Sequence, residues 1–323
     1  MSNALTEHID RVNKTDSTVF LGRLTWYTVS GMRVSHAQVV QGLASVGLGS
    51  HLPPIPKDFD VFRRVSSNAQ IKKVPVPNEA GVFENYLIRE VAGRGDTVVT
   101  RRIVVEKVDR KGKRLDYRQL RDIDFNKDTS AITIREVNDP IAGYSTSSVD
   151  VTHPTAAIIT KNIRDEFIAW RGMLNSYAIR EFIRKMVCSW GATCVRDGVY
   201  FLPEDKAAEV ESMETFVNNL PGDAMFHSMP LVDDRKQREM IKRAFQAETS
   251  DAIDQMMVEI DELQANTRGI STDRYAKILT DYQNLTSKTT EYGELLETEL
   301  GESHSRLSLF QVKIVNLKAR VKA

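Results

Sequence analysis

Basic side chains are concentrated between positions 101 and 121, and they are the strongest chemical signal in the chain. Nine lysines and arginines stand there against three acids, Glu106, Asp109 and Asp116. Binding to the phosphate backbone of a nucleic acid requires a positive surface of this kind. The candidate nucleic-acid contacts are Arg101, Arg102, Lys107, Arg110, Lys111, Lys113 and Arg114.

A single aromatic residue, Tyr117, is interleaved with these cations as a stacking candidate. Dedicated single-strand platforms use several aromatic side chains, so part of that signature is missing. The solvated face of a β-sheet explains the same cations, because basic side chains protect exposed strands from mispairing. The sequence favours this second interpretation and keeps nucleic-acid binding as the alternative function.

Side chains that could form a catalytic or metal site are scattered along the chain. No two of the six histidines are three or four residues apart, and none is within five residues of Cys188 or Cys194. Residues 91–96 lack the lysine of a nucleotide-binding loop, and no Gly-x-Ser-x-Gly motif occurs. The sequence assigns no catalytic, cofactor or metal residue and favours a non-enzymatic protein. An enzyme whose residues converge from distant segments is a third alternative.

The last third of the chain carries apolar residues at alternating steps of three and four, which is coiled-coil spacing. The phase of this seam slips near Leu300 and Gly301, where the helix either continues or ends. An apolar seam needs a partner, which predicts a protein interface or a homo-oligomer. The predicted interface residues are Tyr275, Ile278, Tyr282, Leu285, Tyr292, Leu296, Leu307, Phe310, Ile314 and Leu317. The alternative is an antiparallel hairpin within the chain, formed by residues 233–266 and 272–323.

The N-terminal half combines strand and helix patterns. Residues 18–30 are rich in β-branched and aromatic side chains and predict a strand. Helices are predicted after Ser35 and over residues 58–67. Beyond residue 81 the hydrophobic period changes to two. It predicts strands at 82–91, 97–108 and 131–137, with a weaker pattern at 113–124. Short strands joined by tight turns indicate an antiparallel β-meander with one wet face.

The C-terminal half follows a linker at 138–153 that is rich in turn-forming residues. From Pro154 the period is helical, and the apolar face continues through Tyr177 to Val187. Asp197-Gly198 between two apolar runs predicts a small β-hairpin at 192–202.

These elements predict an α+β fold that begins with a β-meander and ends in helices. The predicted parts are an α+β domain at 1–137, the linker at 138–153, a helical domain with the hairpin at 154–232, and a helical hairpin or coiled coil at 233–323. A length of 323 residues is compatible with about two domains.

Composition limits the class of protein further. The 44 lysines and arginines equal the 44 aspartates and glutamates, which excludes a histone-like polycation and an acidic tail. No run of 18 apolar residues occurs, so no membrane-spanning helix is expected. The polar N-terminus lacks the apolar stretch of a signal peptide, and two cysteines do not suggest a disulfide scaffold. A cytoplasmic location is expected.

Three segments resemble uncharacterised proteins of phages that infect actinobacteria. They are LGRLTWYTVSGMRVSHAQVVQGLASVGL at 21–48, PKDFDVFRR at 56–64 and CVRDGVYFLP at 194–203. Some of those phage proteins are encoded beside a MoxR-type AAA ATPase. The resemblance covers under a third of the chain and carries no catalytic signature. It implies a phage-encoded protein in the cytoplasm of an infected bacterial host, and it makes an AAA ATPase a candidate partner.

The sequence therefore predicts a non-enzymatic assembly or adaptor protein of phage type. Its C-terminal helices would mediate self-association or bind a protein partner. The alternative is a nucleic-acid-binding protein that uses the basic strip at 101–121. Neither function requires a cofactor or contact with a membrane.

Overall fold

The structure is a computed structural model that describes residues 19–91, 97–136, 153–265, 270–298 and 300–318. It contains helices and antiparallel sheets, which confirms the predicted α+β class. The chain divides into two compact units. Unit 1 comprises Met1–Met32, Gln38–Leu52 and Asn175–Ala323, and unit 2 comprises Arg33–Ala37 and Pro53–Leu174.

Strands and helices alternate along both units. The strands are β1 Phe20–Ser30, β2 Arg33–Ser35, β3 Ile71–Pro75, β4 Val82–Val91, β5 Val98–Asp109, β6 Arg114–Asn126, β7 Ile132–Glu136, β8 Met173–Asn175, β9 Thr193–Arg196, β10 Val199–Pro203 and β11 Asp223–Val232. The helices are α1 His36–Ser45, α2 Asp58–Asn68, α3 Pro154–Trp170, α4 Ser176–Ser189, α5 Ala207–Asn218, α6 Arg235–Ala265, α7 Thr272–Leu295 and α8 Gly301–Lys318. A short 3-10 turn precedes α5 at Glu204–Lys206. Strands β2, β3, β8 and β11 have no counterpart in the sequence prediction.

A four-stranded antiparallel sheet in the order β11-β1-β10-β9 forms the centre of unit 1. Strand β1 pairs with a strand on each side, so that Leu24 lies opposite both Phe201 and Met229. The β-branched and aromatic residues of β1 suit such a central strand. The hairpin predicted at 192–202 is present as β9 and β10, and it forms one side of this larger sheet.

Helices α4 and α5 cover one face of the four-stranded sheet. Tyr27 of β1 stacks on Phe226 of β11 with ring centroids 6.0 Å apart. The Tyr27 hydroxyl donates a hydrogen bond to the Arg180 carbonyl oxygen of α4 at 3.3 Å. Asn218 of α5 accepts from the Phe226 backbone N–H at 2.8 Å. These contacts fix both helices to the sheet through backbone groups as well as through apolar packing.

The C-terminal helices cover the other face of the sheet and pack on one another. Phe201 of β10 joins Phe245 of α6 and Tyr292 of α7 in one buried cluster. A second buried cluster joins α6, α7 and α8, and it includes Ile260 and Phe310. The apolar seam of the sequence therefore closes within the chain, as in the intrachain alternative.

The phase slip of the seam marks a helix boundary. Helix α7 ends at Leu295, Glu297 has a φ of +48°, and α8 begins at Gly301. Helix α7 runs antiparallel to α6, because Arg274 pairs with Glu259 and Lys288 pairs with Glu248. The predicted two-helix hairpin is thus a group of three helices, and the coiled coil stays a prediction.

Unit 2 is built on the predicted antiparallel meander, with the strand order β3-β4-β5-β6-β7. Helices α2 and α3 cover one face of this sheet. The Phe125 ring of β6 lies 4.7 Å from the Phe62 ring of α2 and 5.6 Å from the Phe167 ring of α3, measured between centroids. Strands β2 and β8 form a separate two-stranded pair.

The division into units differs from the sequential one predicted from the sequence. Strand β1 pairs with β10 and β11, so it belongs to unit 1 and not to the meander that follows it. Residues 154–232 supply β9, β10 and β11 as well as helices. Pairing over such sequence separations leaves no local pattern, which is why a linear partition misses it.

The helix predicted from Pro154 through Tyr177 to Val187 is two helices. Arg171 leaves the helical conformation, and Gly172 adopts a φ of +68°, which favours glycine. The β8 strand then intervenes, and Asn175 caps α4 by accepting the Ala178 N–H at 2.9 Å. The predicted linker, apart from His153, lies outside the described residues.

Candidate functional site

Two arginines of the basic strip, the predicted contact Arg101 and Arg121 at its end, lie in the core of unit 2. Arg101 is 8% exposed and donates to the Arg63 carbonyl oxygen at 2.8 Å and to the Ser66 hydroxyl at 2.6 Å. Arg121 is 6% exposed and donates to the Thr160 hydroxyl at 3.1 Å. Both arginines hold α2 and α3 on the sheet, so neither is available to a phosphate backbone.

Most of the other cations of the basic strip are neutralised by acids on neighbouring strands or loops. Arg102 forms a two-pronged ion pair with the buried carboxylate of Asp122. Further pairs join Lys107 to Glu79, Arg114 to Glu106, Arg118 to Glu84 and Arg118 to Asp116. Charge counting along the sequence overestimated the free positive surface, because Asp122, Glu84 and Glu79 lie outside the strip.

Three predicted contacts, Arg110, Lys111 and Lys113, stay exposed in the turn between β5 and β6. This turn borders a hollow of about 470 Å³ at the end of the sheet. The hollow, which we call the basic corner, is lined by Lys72, Lys73, Phe83, Asn85, Val108, Asp109, Arg110 and Gly112. Within the described residues, none of its three cations forms an ion pair. Sequence analysis missed Lys72, Lys73 and Phe83, because they lie outside the basic strip.

Backbone geometry shapes the basic corner. The pairing of β3 with β4 shifts register between Ile71 and Val74, and Lys73 lies in that irregularity with a φ of +60°. The Asn85 side-chain oxygen accepts the Lys73 backbone N–H at 2.9 Å. A non-glycine residue is strained at positive φ, so the surrounding contacts must hold Lys73 in this conformation.

The turn that carries Arg110 is tightly organised. The Asp109 carboxylate accepts the backbone N–H groups of Lys111 at 2.8 Å and Lys113 at 2.9 Å. The Arg110 side chain lies against Gly81, where a Cβ would be only 2.4 Å from the arginine Nε. The one carboxylate of the corner is therefore engaged by backbone donors, and the arginine is placed over a residue without a side chain.

The predicted interface residues of the C-terminal helices belong mostly to the core of unit 1. Those that are buried are Ile278, Tyr292, Leu296, Leu307, Phe310, Ile314 and Leu317. Tyr275, Tyr282 and Leu285 are half-buried. Only Leu285 among the ten lines the large cleft of unit 1, and the described conformation offers a partner no access to the seven buried residues.

A cleft of about 1200 Å³ opens in unit 1 beside helices α6 and α7. Its apolar lining includes Phe20, Leu21, Trp190, Met256, Leu285 and Leu295. Its acidic lining consists of Glu204, Asp205, Glu209, Glu259, Asp281, Glu291 and Glu294. We call it the acidic cleft. Its residues come from separate segments of the chain, so no local sequence motif predicts the cleft.

Both lysines of the acidic cleft already have acidic partners. Lys206 pairs with Asp205 at 2.9 Å, and this hydrogen bond raises the pKa of the lysine. Lys288 pairs with Glu248 at 3.1 Å and donates to the Ala192 carbonyl oxygen at 2.7 Å. The positive charge inside the cleft is therefore balanced locally.

Four carboxylates of the acidic cleft form no ion pair with any residue that the structure describes. They are Glu209, Asp281, Glu291 and Glu294. By contrast, Glu204 lies 3.8 Å from Arg23, and Glu259 lies 3.1 Å from Arg274. Three of the four, Asp281, Glu291 and Glu294, are exposed on α7. The unpaired negative charge is thus carried mainly by one helix.

The described parts of the chain contain no cluster of three or more histidines, cysteines or acids that could hold a metal ion. No helix among those residues is long and apolar enough to cross a membrane.

No curated protein and no solved structure matches the chain. A family profile matches residues 20–323, and the chain therefore belongs to DUF6744, a protein family of unknown function.

Proposed function

We propose that the chain is a non-enzymatic adaptor that binds a basic segment of a protein partner in the acidic cleft of unit 1. The observation that carries this proposal is the combination of an apolar lining with four carboxylates that form no ion pair with a described residue. A cationic, amphipathic segment would bury its apolar side chains against Leu285 and Met256. Its lysines or arginines would pair with Asp281, Glu291 and Glu294.

The size and lining of the cleft support a peptide in preference to a small metabolite. Sites for small molecules typically enclose about 300–1,000 Å³ and place a few polar groups on mostly apolar walls. The acidic cleft is about 1200 Å³ and is lined by seven carboxylates. An amphipathic helix laid into a groove is a recurring mode of peptide recognition, with apolar anchors at helical spacing. Complementary charge then adds specificity and speeds encounter.

The class of partner follows from the resemblance to phage proteins encoded beside a MoxR-type AAA ATPase. Such an ATPase is the first partner to test, and the cytoplasm of an infected bacterium would be the place of the interaction. A second copy of the chain is the competing occupant. The chain itself has equal numbers of basic and acidic residues, so neither partner is excluded by net charge.

The proposal is tested with a synthetic amphipathic peptide of about 20 residues that is rich in lysine and leucine. Binding to the full chain is measured by calorimetry. The variant carries Asp281→Lys and Glu291→Lys, two exposed acids of the cleft. The matched control carries Glu239→Lys and Asp251→Lys, two exposed acids of α6 outside the cleft.

The expected result is an affinity loss of about tenfold or more in the cleft variant and little change in the control, since like charges at an interface repel. Equal losses in both variants would reject the cleft as the binding site. Light scattering gives the mass of the free chain in parallel. A dimer that only the cleft variant dissociates would make a second copy the occupant and would overturn the proposal of a basic partner.

A further inference from the structure

The basic corner of unit 2 carries three cations that form no ion pair with any described residue. Lys72, Lys73 and Arg110 surround a hollow of about 470 Å³ that Phe83 also lines. We propose that this corner binds single-stranded nucleic acid, with a phosphodiester group between the three cations and a base against the Phe83 ring. This site lies in unit 2 and is independent of the acidic cleft.

The register of the sheet places a second aromatic ring on the same face as Phe83. Phe83 lies opposite Val108, and Asn85 and Tyr117 lie on either side of Glu106. Because Glu106 and Val108 are two residues apart on β5, their side chains point to one face. Tyr117 is 41% exposed. The face therefore offers two rings on strands that are two spacings of about 4.8 Å apart, and the rings are offset by two residues along those strands.

Cations accompany both rings. The Arg114 guanidinium lies 5.5 Å from the centre of the Tyr117 ring, and the exposed turn residues Lys111 and Lys113 follow Arg110. A positive groove beside stacking platforms is the arrangement that binds single strands with little sequence preference. The sequence pattern showed only Tyr117 among its cations, and the fold adds Phe83 from a different strand.

The shape of the corner favours a single strand over a duplex. A hollow of about 470 Å³ falls within the roughly 300–1,000 Å³ range of sites that take one small-molecule-sized group, such as a nucleotide. Bases in a duplex are stacked on one another, and an unpaired strand can present them to aromatic side chains. A duplex of the same length should therefore bind only through its phosphates, and less tightly.

The proposal is tested by fluorescence anisotropy with a labelled oligothymidylate of about 12 nucleotides. The charge variant of the full chain carries Lys73→Glu and Arg110→Glu. The matched control carries Lys161→Glu and Arg164→Glu, two exposed cations of α3 in the same unit. Phe83→Leu tests the stacking contact, and a duplex of equal length tests the preference for a single strand. Thermal unfolding of each variant checks that unit 2 remains folded.

Wild-type binding should weaken steeply with salt, because each phosphate contact contributes about 0.7 to the logarithmic slope for single strands. The charge variant should lower that slope by more than one and reduce affinity at least tenfold, and the control should retain both. Phe83→Leu should reduce affinity by about tenfold with the slope unchanged. Absence of wild-type binding at low salt, equal losses in the control, or a duplex bound as tightly as the single strand would overturn the proposal.

Discussion

The Arg102 guanidinium holds the Asp122 carboxylate in a two-pronged ion pair, with nitrogen–oxygen distances of 2.5 and 2.9 Å. Asp122 is fully buried, and Arg102 is 14% exposed at its side chain. Arg135 approaches the same carboxylate at 3.7 Å and binds Asp124 at 2.7 Å. Four charged side chains on β5, β6 and β7 thus neutralise one another on the sheet face opposite α2 and α3.

Removal of one member of this group should destabilise unit 2. Asp122→Ala leaves Arg102 without its main partner in a nearly buried position, and breaking a buried pair in this way costs about 3–5 kcal/mol. We expect the free energy of unfolding to fall by about 3 kcal/mol in urea titrations. Asp128→Ala, at an exposed turn, should change it by less than about 0.5 kcal/mol. Equal changes in the free energy of unfolding for the two substitutions would show that the ion-pair network does not stabilise unit 2.

The same network explains why the sequence overstated the basic strip. Asp122 and Asp124 lie just beyond residue 121, and Glu79 and Glu84 precede it by many residues. Strand register decides which acid meets which cation, and register depends on long-range pairing that local charge patterns do not contain. Hydrophobic period and turn residues correctly predicted β4, β5 and the hairpin of β9 and β10, because these signals are local.

The missed strands β3 and β11 have a common physical cause. Each lies at the edge of its sheet, and each contains a proline, Pro75 in β3 and Pro230 in β11. Proline lacks the N–H that a central strand needs, so it counts against a strand in a sequence reading and is tolerated at edges. Two cations of the basic corner, Lys72 and Lys73, lie on β3, so the sequence pattern did not predict this corner.

Because the Lys73 backbone is strained, replacing this residue should weaken oligonucleotide binding at the basic corner without reducing the stability of the protein. Its φ of +60° is unfavourable for lysine and readily adopted by glycine. We expect Lys73→Gly to leave stability unchanged or to raise it by up to about 1 kcal/mol, and to weaken oligonucleotide binding. Thermal unfolding and anisotropy measure the two effects on one preparation. The Lys73→Ala variant should bind the oligonucleotide as weakly as the Lys73→Gly variant and should be less stable than that variant. A loss of stability on Lys73→Gly would contradict the strain argument.

Gly22 should tolerate no side chain in β1. A Cβ there would lie 2.1 Å from the Leu202 carbonyl oxygen and 2.7 Å from the Phe201 ring. The backbone of β10 cannot yield without losing the pairing around Gly22, so Gly22→Ala should destabilise unit 1 by about 3 kcal/mol or more. Gly301→Ala is the matched control, since no atom lies within 4 Å of its added Cβ. Circular dichroism melts of the two variants should differ clearly, and coincident melts would contradict the described pairing.

His153 should make unit 2 less stable at acidic pH. Burial lowers the pKa of His153, nearby Glu84 opposes this shift, and Arg118 and Arg121 add to it. Well above the ordinary histidine pKa of about 6.5 the ring is neutral in both folded and unfolded chains, so its titration does not affect stability there. As the pH falls below that value, the unfolded chain takes up the proton more readily and the free energy of unfolding decreases.

The measurement for His153 is amide hydrogen exchange of β4 to β6 at pH values above and below this transition, corrected for intrinsic exchange rates. Wild type should lose protection at the lower pH. His153→Gln removes the titrating group and should lose less. The same loss of protection in both proteins would assign the acid sensitivity to other groups.

Leu285 and Leu296 of the C-terminal seam should respond differently to the same substitution. Leu296 is 4% exposed and packs in the cluster with Phe245 and Tyr292, so Leu296→Asp buries a charge without a partner. It should destabilise unit 1 by several kcal/mol, enough to unfold a marginally stable chain at 25 °C. Leu285 is half-buried on the wall of the acidic cleft, where a new carboxylate reaches water.

Leu285→Asp should therefore cost about 1 kcal/mol of stability and keep the circular dichroism spectrum of wild type. It should still reduce the affinity of the lysine- and leucine-rich peptide by about tenfold, because it removes an apolar anchor from the cleft. Leu309→Asp, at an exposed position of α8 outside the cleft, is the control and should change neither quantity. If Leu285→Asp binds the peptide as wild type does, the apolar wall of the cleft is not the docking surface, and the adaptor function must use another part of the chain.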